Sequence, residues 1–123
     1  MILVDTSVWV DHLRKGDGVL AGLLNDGRVL THPFVIGEIA LGNLQHREEI
    51  LDALTNLPRA TAATDSEVLR FIERNALSGR GIGYVDAHLL AAVKLNPGTS
   101  LWTRDKRLLT AADDLGVPSG RNS

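Results

Sequence analysis

Short aliphatic runs alternate along this chain with longer segments of helical spacing, and this alternation most restricts the folds open to it. Residues 2–4, 28–31 and 99–103 are short runs with continuous apolar centres that we interpret as strands, and residues 59–63 form a weaker one. Continuous apolar strands separated by helices are typical of a parallel sheet that is covered on both faces. Because 123 residues fit one domain, we expect a single α/β domain over residues 1–123.

Apolar stripes and capping residues predict where the helices lie. Pro33 suits the first turn of a helix that runs to about residue 44. Glycines make residues 78–83 a connector, and the polar residues 116–123 are expected to fray. Further helices are predicted over residues 8–14, 19–25, 47–57, 84–95 and 106–115, and one more follows a capping box at 64–67.

Composition excludes several kinds of protein. The chain has no cysteine, which rules out a disulfide scaffold, a thiol nucleophile and a cysteine-ligated metal centre. With 13 Lys and Arg against 15 Asp and Glu, the net charge is −2, so bulk positive charge cannot hold nucleic acid here. The chain has no export signal and no apolar run near the ~20 residues that span a bilayer, so we expect a cytoplasmic protein without a membrane partner.

Four acidic residues stand where a parallel sheet gathers ligands, outside the carboxyl ends of its strands. Asp5 and Asp105 each follow a predicted strand, and Asp86 lies in the first turn of the helix at 84–95. Glu38 interrupts an otherwise apolar helical segment. Taken alone, Asp5 and Asp105 also suit helix N-caps, Asp86 suits the helix dipole, and a solvent-facing position suits Glu38.

Taken together, the four carboxylates predict a metal site. Like charges that share a site repel each other, and a shared cation relieves that repulsion. Oxygen ligands without cysteine, and four histidines without ligand spacing, favour Mg²⁺ or Mn²⁺ over zinc. One or two such ions on a small fold suit the hydrolysis of a phosphodiester bond.

Four segments carry a resemblance to a known family. They are Ile2-Leu3-Val4-Asp5-Thr6-Ser7, the isolated Glu38, Gly83-Tyr84-Val85-Asp86-Ala87-His88-Leu89-Leu90-Ala91-Ala92 and Leu101-Trp102-Thr103-Arg104-Asp105-Lys106-Arg107-Leu108. With them, the chain resembles a PIN domain, and more narrowly the VapC toxins of type II toxin–antitoxin modules. The resemblance implies a three-layer α/β/α sandwich with a short central parallel sheet, and a Mg²⁺-dependent endoribonuclease.

The same resemblance implies roles for residues and partners. Asp5 and Asp86 would be the primary metal ligands, and Glu38 and Asp105 would complete the site through water or a second ion. The family is typically homodimeric and forms a hetero-oligomer with a VapB-type antitoxin, whose C-terminal segment lies over the groove near the site. The residues that would orient the acids by hydrogen bonds are Thr6, Ser7 and Thr103.

Basic residues and histidines near the acids leave more than one interpretation open. The basic residues lie either on a solvated face or on a local rim that contacts the RNA backbone. The histidines are expected to be structural or exposed. The basic residues of this face are Lys94, Arg104, Lys106 and Arg107, with Arg80 in the connector as a further candidate phosphate contact, and the histidines are His12, His32, His46 and His88.

Two functions from other classes stay as alternatives. A phosphatase-like phosphoryl-transfer protein would need a second acid two residues after Asp5, where Ser7 stands. A non-catalytic binding module on the same fold would have no need of all four acids. For the nuclease, two divalent ions would add +4 to the net charge of −2 and give about +2, so RNA binding is expected to weaken sharply when the ion is removed.

Overall fold

A short parallel sheet forms the centre of the computed structural model, which describes residues 1–120. Its strands are β1 (Ile2–Val4), β2 (Val29–Leu30) and β3 (Ser100–Trp102), in the order β2-β1-β3. β1 pairs in parallel with both neighbours. All the residues of these strands are buried, which explains why they lack polar alternation and confirms the predicted parallel sheet.

Helices cover this sheet, as the alternation in the sequence predicts. In chain order they are α1 (Thr6–Lys15), α2 (Gly18–Asn25), α3 (Pro33–Ala40), α4 (Arg47–Thr55), α5 (Asp65–Arg74), α6 (Tyr84–Leu95) and α7 (Lys106–Asp114). α1 and α4 each pack against α3, whereas α6 packs against α5 and β3. Within residues 1–120, no helix is both long and apolar enough to cross a membrane.

α6 is the helix most enclosed by the fold. Its residues from Ala87 to Val93 are all buried, so it is apolar on every side, as a helix inside a core must be. Only its first turn and its last residues reach the surface. The first turn carries Asp86, and the last residues include Lys94 and Leu95, so the two ends of α6 expose different chemistry.

The predicted strand at residues 59–63 is wrong. Only a single bridge joins Arg59 to Thr31, at the open edge of β2. At Thr61 the backbone hydrogen-bonds to a side chain instead of a strand. The Thr61 N–H donates to Asn96 Oδ1 at 3.1 Å, and Asn96 Nδ2 donates to the Thr61 carbonyl oxygen at 3.0 Å. These bonds satisfy the backbone that a strand would have paired.

The helix expected to reach residue 44 is also too long, since α3 ends at Ala40. The Arg47 guanidinium donates hydrogen bonds to the carbonyl oxygens of Ala40 and Gly42. Those carbonyls lie at the end of the helix, where no intrahelical donor is available. A side chain from α4 therefore satisfies the end of α3 and allows the chain to turn there.

Residues 116–120 pack onto the sheet, so the expected fraying is wrong for them. Val117 is 3% exposed and lies in the core. The Leu101 N–H donates to the Pro118 carbonyl at 2.8 Å, and the Gly120 N–H donates to the Leu101 carbonyl at 3.0 Å. Pro118 is tolerated because this pairing requires only its carbonyl. The remainder of the expected frayed tail, residues 121–123, lies outside the described residues.

Replacing Val117 by Ala tests whether this C-terminal segment belongs to the core. The substitution should lower the free energy of unfolding by about 1–3 kcal/mol, because two buried methyl groups are lost and a cavity is left. The matched control is Val19→Ala at a side chain that is 44% exposed, where we expect a change below about 0.5 kcal/mol. Urea denaturation measures both variants. Equal, small effects would show that the segment is not part of the core.

Candidate active site

Asp5 is held at the carboxyl end of β1 by two hydroxyl groups. Ser7 Oγ donates to Asp5 Oδ2 at 2.7 Å, and Thr103 Oγ1 donates to the same oxygen at 2.8 Å. Asp5 occupies the N-cap position of α1, but its side chain makes no capping hydrogen bond. The simpler explanation of this acid as a helix cap therefore fails for its carboxylate, which is only 5% exposed and is oriented by Ser7 and Thr103 instead.

Thr103 also connects Asp5 to a second acid. The Asp105 N–H donates to Thr103 Oγ1 at 3.0 Å, while the same hydroxyl donates to the Asp5 carboxylate. Asp5 in turn donates its own N–H to the Trp102 carbonyl at 2.9 Å. The ends of β1 and β3 are therefore fixed to each other, and both acids lie at that edge of the sheet.

Glu38 joins this edge from α3. Thr6 Oγ1 donates to Glu38 Oε1 at 2.6 Å, so the residue next to Asp5 holds the third acid. Glu38 is exposed, which agrees with the solvent-facing alternative for this residue. Exposure does not leave it isolated, because the hydrogen bond ties its carboxylate to the start of α1.

Asp86 and Asp105 also serve their own helices. Asp105 Oδ1 accepts the N–H groups of Arg107 and Leu108 at 2.9 and 3.1 Å, which confirms its N-cap role in α7. Asp86 Oδ2 accepts the Gly83 N–H at 3.0 Å at the start of α6. These bonds fix the orientation of both side chains at the helix N-termini.

The other three acids lie close enough to Asp86 for their charges to act on its carboxyl group. Burial raises the pKa of the Asp86 carboxyl above its ordinary value, and the hydrogen bond from Gly83 acts in the opposite direction. The negative charges of Asp5, Asp105 and Glu38 raise that pKa further. Among residues 1–120, none of the four acids forms an ion pair with a basic side chain. The cluster therefore carries repulsion that the described protein does not relieve.

Each of these carboxylates keeps one oxygen without a protein donor. In each of the four acids, one carboxylate oxygen accepts the hydrogen bonds described above. Within the described part of the chain, the other four accept none: Asp5 Oδ1, Glu38 Oε2, Asp86 Oδ1 and Asp105 Oδ2. Such a set of oxygens is what a hard divalent cation selects.

The geometry fits an ion that keeps much of its water. In residues 1–120, no three His, Asp or Glu side chains are placed closely enough to enclose a metal ion by themselves. Mg²⁺ usually keeps several waters and takes only one or two carboxylates from a protein. The donor set and the unrelieved negative charge therefore fit a partly hydrated divalent ion, and they do not resemble a closed all-protein cage.

The basic residues singled out from the sequence do not lie together in the structure. The Arg104 guanidinium is bound by the carboxylates of Asp11 and Asp17, and these hydrogen bonds raise the pKa of Arg104. Arg104 thus connects the start of α7 to α1 and to the N-cap of α2. Arg80, Lys106 and Arg107 line one shallow depression together with Thr110. Lys94, predicted on the same basic face, instead lines a groove between α5 and α6.

Two buried histidines lie behind Asp86, and the sequence reasoning did not pair them. His32 is 0% and His88 is 2% exposed, and their ring centroids are 6.2 Å apart. The rings of Phe34 and Tyr84 pack on His88 with centroids at 4.3 and 4.6 Å. Both histidines are buried, so of the two expected places, structural or exposed, the exposed one is wrong for them. The apolar run around His88 was a signal of its burial, but no sequence signal brings His32 beside it.

A comparison with known families identifies the family of this chain. The PIN domain profile matches residues 2–114. This chain belongs to the PIN-domain family. The chain is also 52% identical over 117 residues to Ribonuclease VapC32 of Mycobacterium tuberculosis, in strains CDC 1551 / Oshkosh and ATCC 25618 / H37Rv alike. That match covers 95% of this chain and 94% of the relative.

A solved structure confirms the PIN-like sandwich. The crystal structure of FitAcB from Neisseria gonorrhoeae matches with a TM-score of 0.64 and covers 97% of this chain and 96% of that one. The sequences share 19% identity, so this likeness concerns the fold alone. Together with the family match, it confirms the predicted α/β class of this PIN domain.

His32 should make the stability of this PIN domain depend on pH. Burial, then the charges of His88 and Arg59, lowers the pKa of His32 from 6.5 to about 4. The unfolded chain therefore binds a proton that the folded chain does not, and stability is lost as the pH falls from 6.5 towards 4. Between pH 6.5 and about 5.5, His32 alone should remove about 1 kcal/mol.

The variant His32→Asn isolates this effect. Asn keeps an oxygen to accept the Phe34 N–H, which His32 Nδ1 accepts at 3.0 Å, but it does not titrate. Denaturation with guanidinium over this pH range should give a shallower loss of stability than in the wild type. The comparison uses the slope with pH, because the smaller side chain also costs packing at every pH. Identical slopes in the two proteins would contradict the assignment.

Proposed function

We propose that this PIN-domain protein is the toxin of a type II toxin–antitoxin module and acts as a metal-dependent endoribonuclease. The observation that carries the proposal is the group of four neighbouring carboxylates without ion pairs among residues 1–120. The 52% identity to a protein named Ribonuclease VapC32 supports RNA as the substrate. PIN-domain ribonucleases generally depend on a divalent metal, and here we propose Mg²⁺ or Mn²⁺ because every available ligand atom is oxygen.

The chain's own residues would bind the ion and orient its ligands. Asp5 and Asp86 would be the main ligands, with Glu38 and Asp105 completing the site. A divalent ion supplies Lewis-acid chemistry, activating water and neutralising charge that develops on the phosphodiester. The bonds from Ser7 and Thr103 to Asp5 Oδ2 leave Oδ1 for the ion. Thr6 would orient Glu38 in the same manner.

We also propose partners and a location that follow from this function. The protein would act in the cytoplasm, as a homodimer, and would be neutralised in a hetero-oligomer with a VapB-type antitoxin. Two exposed apolar side chains, Leu41 just after α3 and Val10 on α1, lie at helices that pack against each other. They support a surface that a protein partner covers, because large exposed apolar side chains mark such surfaces when they cluster. Val10, 42% exposed on α1, lines a groove that runs beside this helix.

Asp5→Asn tests the proposed metal site directly. The amide keeps the shape of the side chain but removes the charge, so cleavage of cellular RNA in Mg²⁺ should fall by a factor of about 100 or more. Addition of EDTA to the wild type should abolish cleavage in the same way. The matched control is Asp52→Asn at an exposed acid of α4, which should leave cleavage unchanged. Cleavage that survives both EDTA and Asp5→Asn would overturn the proposal.

Thr103→Val tests how the acid is positioned. Val has nearly the same shape as Thr but cannot donate to Asp5 Oδ2 or accept the Asp105 N–H. Loss of such an orienting group typically costs 10–100-fold in metal affinity or activity. RNA cleavage at a series of Mn²⁺ concentrations should therefore show a raised metal requirement. The control is Thr55→Val on the exposed side of α4, and equal results for both variants would remove Thr103 from the site.

A further inference from the structure

A cationic depression lies beside the four acids of the candidate active site, and none of those acids lines it. Its lining residues are Arg80, Lys106, Arg107 and Thr110. Arg80 donates to Asp114 at 2.6 Å, with its side chain 30% exposed. Lys106 and Arg107 form no ion pair with an acid in residues 1–120. The depression therefore has more positive charge than its own surroundings neutralise.

The backbone connects this depression to two of the acids. The Arg107 N–H donates to Asp105 Oδ1 at 2.9 Å, so Arg107 lies within the first turn after that acid. On the other side, the connector that contains Arg80 ends at Gly83, whose N–H donates to Asp86 Oδ2 at 3.0 Å. A phosphate in the depression would therefore lie close to a phosphodiester held at the acids.

Gly81 sets the place of the Arg107 side chain. Gly81 has φ +78°, and a Cβ added there would lie 2.8 Å from Nη1, 3.0 Å from Cδ and 3.2 Å from Cζ of Arg107. The guanidinium thus passes directly over the glycine backbone, and any side chain at this position would displace it. Gly79, in the same connector at φ +75°, has nothing within 4 Å of the equivalent point.

We infer that Arg80, Lys106 and Arg107 bind a backbone phosphate of the RNA next to the scissile bond, and that Gly81 is a positioning residue for Arg107. This inference rests on the proposed ribonuclease function. Phosphate contacts of this kind fix the register of a nucleic acid without reading its sequence. Arg104 is outside the subsite, because it does not line the depression and two carboxylates, those of Asp11 and Asp17, bind its guanidinium.

The test measures binding of a short fluorescein-labelled single-stranded RNA by anisotropy, in Mg²⁺ and in an Asp5→Asn background that does not cut the probe. Arg107→Ala should weaken binding roughly tenfold, as expected for a charge-assisted hydrogen bond, and should reduce the salt slope by about 0.7. Gly81→Ala should weaken binding roughly threefold, a part of the same effect. Adding it to Arg107→Ala should cause no further loss, because Gly81 acts through Arg107.

Two matched controls separate this effect from charge and backbone strain. Arg74→Ala removes the same charge from a groove between α5 and α6. Lys94 also lines that groove, and it lies about 12 Å from Asp86 along α6. Gly79→Ala places Ala at nearly the same positive φ without touching Arg107. Both controls should bind the probe like the parent protein, and circular dichroism checks that every variant is folded.

The outcomes also separate this inference from the proposed function. If Arg107→Ala matches Arg74→Ala, the phosphate subsite is wrong even if the wild type cuts RNA. If Gly81→Ala matches Gly79→Ala, or if its effect adds fully to that of Arg107→Ala, the positioning role is wrong. If the expected pattern of binding appears while the wild type cuts no RNA, the subsite stands and the proposed catalytic function fails. In the active chain, Arg107→Ala should raise KM more than it lowers kcat.

Discussion

The hydrogen bond from Thr103 to Asp5 is the interaction on which the site depends. It joins the carboxyl ends of β1 and β3 at 2.8 Å, and the same hydroxyl accepts the N–H of Asp105. Without it, the two strands would still pair, but the Asp5 carboxylate would keep only the hydroxyl of Ser7 and would lose its link to the side chain that binds the Asp105 N–H. The sheet supplies the place for the acids, and this hydroxyl supplies their orientation.

The site is built so that its charge is relieved by a ligand rather than by the protein. Burial and the charges of three other acids raise the pKa of Asp86, and Arg104, which precedes Asp105 in the chain, is bound to Asp11 and Asp17. A protein optimised only for stability would place a cation among these carboxylates. The arrangement instead favours an added divalent ion, at a cost in stability that is common for functional sites.

The sequence allowed the sheet and the acids to be predicted, because both depend on local pattern. Apolar runs mark the strands, and the acids follow the runs at positions 5 and 105. The predictions failed where a side chain from another element binds the backbone. The Asn96 amide binds the backbone of Thr61 in place of a strand, and the Arg47 guanidinium binds carbonyl oxygens at the end of α3. In the same way, nothing local predicts that Arg104 is paired with Asp11 and Asp17, or that His32 lies beside His88.

The sequence separation of Asp5 and Thr103, 98 positions, has a consequence for the cell that makes this protein. A ribosome releases β1 before β3, so the central strand cannot gain this partner, nor Asp5 the hydroxyl of Thr103, until residue 103 has been translated. A nascent or prematurely ended chain therefore lacks the assembled acidic edge. For the proposed toxin, the capacity to cleave RNA therefore arises only after translation has passed Asp105, the last of the four acids along the chain.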